Sequence, residues 1–128
     1  MADLNGRIPS LSAYAMITTP DGFGRIEISR FRQTFAADLP PQQVDFMANS
    51  QVLTAPTIPT TPVKAAGWKT KPTYAIIAGA DRAISPDLER YMYERASAET
   101  TYIRSASHVV YISHPNEVAT VIGEAASR

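Results

Sequence analysis

Residues 104–115, RSASHVVYISHP, carry a histidine after small residues, four apolar residues, and then a second histidine beside a proline. Imidazole is the one side chain whose ordinary proton exchange falls near neutral pH, so His108 is a candidate general base. Such a base works best when a carboxylate accepts its proton-bearing nitrogen, which fixes the tautomer and stabilises the imidazolium formed in catalysis. Asp81, following the run IIAGA, is the candidate carboxylate. The two would form the acid–base half of a nucleophilic triad. His108 and His114 with Asp81 also raise the thought of a metal site, but no further cluster of ligands appears, so no metal and no cofactor are expected.

Asp81 and His108 meet only if their segments are neighbouring parallel strands, because working residues in an open parallel sheet gather on loops at the carboxyl ends of strands. The sequence supplies that order. TYAIIA, residues 73–78, is a short apolar run ended by Gly79, as in a strand buried on both faces. A helix follows, with Ser85 as cap, Pro86 in its first turn, Asp87 at its positive end, and Leu88, Tyr91 and Met92 on one face. A second strand is expected around Thr101 to Arg104. Pro115 and Glu117 then open a last helix whose Val118, Val121, Ile122 and Ala125 recur at helical spacing and predict a buried stripe. The order β-α-β-α favours parallel strands with a right-handed crossover.

The first part of the chain reads differently. AYAMITT and RIEI flank the turn-forming PDGFG and predict a hairpin. Phe31 and Phe35, then Val44, Phe46 and Met47 after two prolines, predict two short helices. Residues 52–71 hold Pro56, Pro59 and Pro62 among threonines and read as a connector. Two parts result: residues 1–71 with hairpin, helices and connector, and residues 72–128 with the β-α-β-α body. Trp68, after Gly67, is expected to pack the connector against that body.

Across the 128 residues, twelve Lys and Arg balance twelve Asp and Glu, so no overall field recruits nucleic acid or an acidic membrane. The chain has no cysteine, which removes thiol catalysis and fits a reducing compartment. The opening residues lack the basic and apolar regions of a secretory signal, and a cytoplasmic protein is expected.

WKTKPTYAIIAGADRAISPDLERYMYERA and TTYIRSASHVVYISHPNEVATVIGEAA resemble the C-terminal part of α/β-hydrolases, esterase-like members similar to plant methyl esterases and hydroxynitrile lyases. DGFGRIEISRFRQTFAADLPPQQVDFMANSQV is similar to the cap inserted before the penultimate strand in bacterial members. The resemblance implies a partial α/β-hydrolase fold: a short parallel sheet, flanking helices and an N-terminal cap. It makes Asp81 the triad acid and His108 the base, lets Ile84 and Pro86 shape the acid loop, and places His114 and Pro115 at the start of the last helix. His114 is there a capping position and not a second base. A cap of this family would line an acyl pocket with Phe31, Phe35 and Phe46, although their bland reading is as core contacts. The implied substrate is a small-molecule ester.

One part of the family pattern is absent. The Gly-x-Ser-x-Gly elbow needs glycines four apart, and no two of Gly6, Gly22, Gly24, Gly67, Gly79 and Gly123 have that separation. Ser10 and Ser12 precede the recognised strands, while Ser105 and Ser107 are too near His108 in sequence to face it from an opposite loop. The expectation is an ester hydrolase's acid and base without its nucleophile, inactive alone and complemented by an N-terminal half. A noncatalytic binding module that dimerises through its sheet edge is the alternative, and a hydrolase with an unrecognised nucleophile a third.

Overall fold

The computed structural model describes residues 15–58 and 60–128, so Ser10, Ser12 and the first residues of the hairpin segment lie outside the described residues. The hairpin pairs β1 (Met16–Thr18) with β2 (Gly24–Ile26) in antiparallel register, Met16 opposite Ile26. Its turn is held by Thr19, whose hydroxyl accepts the Phe23 amide at 3.0 Å, and by Gly22 at φ 89°, where a side chain would be strained. Helices α1 (Ile28–Phe35) and α2 (Pro41–Asn49) follow, the second opened by a proline whose missing amide hydrogen is no loss at that position.

The connector begins as an ordered strip. The Gln51 side chain bonds both the amide and the carbonyl of Ile26 at 2.9 Å, taking the place of a neighbouring strand. Thr54 then exchanges backbone hydrogen bonds with Gly24. Trp68, in a short 3₁₀ turn (Gly67–Lys69), lies 5.3 Å from the Arg95 guanidinium, so the connector does pack against the body.

In the body, β3 (Tyr74–Ala78) and β4 (Glu99–Ile103) pair in parallel, from Tyr74 opposite Glu99 to Ala78 opposite Ile103. Helix α3 (Pro86–Arg95) crosses between them, with the Ser85 hydroxyl accepting the Asp87 amide at 3.3 Å. A single turn, α4 (Val110–Ser113), and α5 (Pro115–Ala126) complete the chain.

Three expectations need correction. The stripe on α5 is not buried: none of its residues is, and Ile122 is 62% exposed. A helical stripe is buried only when something packs over it; here Val121, Ile122 and Ala125 face an open groove of about 770 Å³ against Tyr74, Ala75 and Ile76 of β3. For the same reason only the last two residues of β3, Ile77 and Ala78, are buried. On α3 the inward pair is Leu88 and Glu89, and Tyr91 is largely exposed.

A buried cluster joins Phe31, Ala36, Leu39, Val44 and Ala48 of the cap to Val109, a residue of the histidine loop with no exposed surface. Full burial of a valine side chain contributes about 1.5–3 kcal/mol, so the loop carrying His108 is anchored in the cap's core. Among the described residues no helix is long and apolar enough to cross a membrane.

Candidate active site

Beyond Ala78 and Ile103 the two strands stop pairing as a ladder, but their loops remain stitched. The Gly79 amide donates to the Ile103 carbonyl at 2.8 Å and the Ala80 amide to the Ala106 carbonyl at 2.9 Å. This close approach demands glycine. A Cβ at position 79 would sit 2.6 Å from the Arg104 carbonyl oxygen and 2.5 Å from the Tyr102 hydroxyl.

The stitching delivers Asp81 to His108. Asp81 Oδ1 accepts the amides of Ala83 at 2.6 Å and Ile84 at 3.1 Å, which closes the acid loop around a carboxylate only 1% exposed. Oδ2 lies 2.8 Å from His108 Nδ1. An acceptor-only carboxylate takes the hydrogen from Nδ1, which leaves Nε2 as the basic nitrogen. The His108 ring rests against Phe35 with centroids 4.5 Å apart and lines a cavity of about 610 Å³ between cap and body.

The residues proposed from sequence reach this place in different ways. Asp81 and His108 are in contact. Phe31, Phe35 and Phe46 all line the cavity, though Phe31 is also a buried core residue and Phe46 stands 72% exposed at the rim. Ile84 shapes the acid loop through its amide and lines the same cavity. His114 precedes α5 as expected, yet its side chain caps nothing: Nε2 meets Ser105 Oγ at 3.1 Å and Nδ1 meets Ser113 Oγ at 2.9 Å.

Two acids escaped the sequence reading. Asp38, in the turn between α1 and α2, accepts both the Ser107 amide, at 2.9 Å, and the Ser107 hydroxyl, immediately before His108. Burial pushes the Asp38 carboxyl up, but the hydrogen bonds from the Ser107 hydroxyl and amide and from Ser113 outweigh it and hold the group below its ordinary value. Nothing local in the sequence marks Asp38, because its partners come from the other end of the chain. Glu89 accepts the Ala78 amide at 3.1 Å from within the body. Burial first, and the neighbouring Asp81 charge second, raise its carboxyl from 4.5 to about 7. Its position beside Leu88 and between Met92 and Tyr93 on the helical wheel was the available signal.

A buried carboxylate oriented by its own loop, an imidazole presented at a cavity wall, and parallel strands joined through a crossover helix define a hydrolase-like α/β scaffold. A family model described as the alpha/beta hydrolase family matches residues 2–121, and the chain belongs to that family. Among solved structures it is similar to polyneuridine aldehyde esterase, with a TM-score of 0.70 at 12% identity, over 95% of this chain and 53% of that one. The chain thus spans about half the length of that esterase. No curated protein matches it.

Proposed function

We propose that this chain provides the acid and base of a carboxylic ester hydrolase whose nucleophilic serine, on an elbow, comes from polypeptide other than these residues. The observation that carries the reading is the 2.8 Å contact between Asp81 and His108 beside a mostly apolar cavity. In the assembled site His108 Nε2 takes the proton of the serine hydroxyl as its oxygen attacks the ester carbonyl, then returns it to the departing alcohol. Asp81 stabilises the imidazolium between the two steps. Water, activated by the same nitrogen, releases the acid. Phe35 and Phe46 wall the side on which an acyl group would lie. The cysteine-free composition suits a cytoplasmic setting.

The test is complementation. Mixing the chain with a family N-terminal half that bears the elbow should produce ester hydrolysis, reduced about 10³-fold or more by His108→Ala. Failure to gain hydrolysis on mixing, or hydrolysis indifferent to His108→Ala, would overturn the reading.

The groove between β3 and α5 favours a second reading, a noncatalytic binding module that self-associates. Among the described residues β3 pairs with β4 alone, and the exposed apolar stripe of α5 shares a groove with Tyr74, Ala75 and Ile76 of that strand. Light scattering at micromolar concentration should then report a dimer, and Ile122→Asp should return it to monomer. A monomer before substitution rejects this reading.

A further inference from the structure

Behind the Asp81–His108 pair lies a second chain of hydrogen bonds. Two groups face His114 Nδ1: Ser113 Oγ at 2.9 Å and the Asp38 carboxylate, whose Oδ2 lies 3.9 Å away. A carboxylate can only accept, so its place on that side favours the tautomer with the hydrogen on Nδ1. His114 Nε2 is left with its lone pair facing the Ser105 hydroxyl at 3.1 Å. The same carboxylate is placed to stabilise an imidazolium. The order of groups is nucleophile, base, orienter. Ser105 is exposed while the His114 ring is 18% exposed, so a reagent can reach the hydroxyl and the base stays sheltered.

We propose that Ser105 is a nucleophile in its own right, activated by His114, whose other ring nitrogen faces Ser113 and Asp38, and that it takes acyl or phosphonyl groups from donors with good leaving groups, such as aryl esters. In the acyl case the Ser105 oxygen bonds to the carbonyl carbon while His114 Nε2 takes its proton. The tetrahedral intermediate expels the phenolate, which accepts that proton, and Ser105 is left as an ester that water can cleave. Activated donors are the fitting class because the site lies on a surface turn, where little stabilises an oxyanion and the leaving group must carry more of the reaction.

The test uses the chain alone, so its outcome is independent of complementation by an elbow-bearing half. The protein is treated with a fluorophosphonate and, separately, with p-nitrophenyl acetate, and the adduct is located by peptide mass mapping. In the phosphonyl case the Ser105 oxygen bonds to phosphorus, fluoride leaves, and His114 takes the proton. The expected adduct is on Ser105 and absent from Ser105→Ala. Its rate of formation should fall about a hundredfold in His114→Gln, the scale of a lost general base. Ser113→Ala, which leaves the imidazole in place, should slow it several-fold, with circular dichroism showing each variant folded. Absence of the Ser105 adduct, or equal rates in wild type, His114→Gln and Ser113→Ala, overturns the proposal. Should His114→Gln fail to fold, the Ser113→Ala rate decides.

Discussion

Ser107 and Asp38 are joined across 69 residues of sequence by two hydrogen bonds, one from the Ser107 amide and one from its hydroxyl. The cap thereby grips the residue next to His108. Phe35 adds to that grip, since its carbonyl accepts from Ser107 Oγ at 3.3 Å while its ring packs on the imidazole. The cap therefore holds His108 in position as well as lining the cavity.

Removing Asp38 should loosen the histidine loop. Asp38→Ala leaves the buried Ser107 amide without its acceptor and is expected to cost about 1–3 kcal/mol, against about 1 kcal/mol for Ser107→Ala, in urea unfolding. Because the folded carboxyl lies below its unfolded value, its stabilisation is present above the ordinary carboxylate range and is lost as pH falls through the folded value. Asp38→Asn should flatten that acid-side loss; an unchanged slope would show that the clasp contributes nothing.

Asp81 serves its own loop as much as His108. Asp81→Ala leaves the Ala83 and Ile84 amides without their acceptor and should lower stability by about 2–4 kcal/mol. Asp81→Asn retains an acceptor for the loop and should cost less, while abolishing the downfield proton resonance expected of His108 Nδ1–H. A downfield resonance that survives Asp81→Asn belongs elsewhere.

Glu89 runs the opposite way to Asp38. Its folded value of about 7 exceeds the ordinary 4.5, so the unfolded chain releases the proton first as pH rises. The Glu89 contribution to stability should be greatest below the ordinary value, fall between it and about 7, and then level off. Glu89→Gln keeps an acceptor for the Ala78 amide and removes this loss, stabilising the protein by on the order of 2 kcal/mol at pH above the folded value. Chemical denaturation across the interval checks the sign.

Gly79→Ala should be tolerated poorly, by about 1–3 kcal/mol, since the Arg104 carbonyl it would strike is backbone and cannot turn aside. Tyr102→Phe removes one clashing atom and leaves that carbonyl, so the double variant should recover only part of the loss in thermal unfolding.

Much of this was legible in the residues because it is local. Gly22 needs positive φ, Pro41, Pro86 and Pro115 open helices, Ser85 caps α3, and an apolar run ended by Gly79 makes β3. Even the Asp81–His108 contact follows from local order, since parallel neighbours joined by a crossover bring both loops to one edge. The exposed stripe of α5 was misjudged by the same reasoning: periodicity reports which face is apolar and is silent on whether anything lies over it.

By itself, then, the sequence determined the β-α-β-α order, the helix starts, and the two loops that carry Asp81 and His108, because each depends on backbone preferences and short-range spacing. Only the tertiary structure decided that Asp38 would hold Ser107, that His114 would face Ser105, and that burial would raise the Glu89 carboxyl. Those outcomes depend on desolvation and on partners brought together from distant segments, and neither quantity is encoded at any single position.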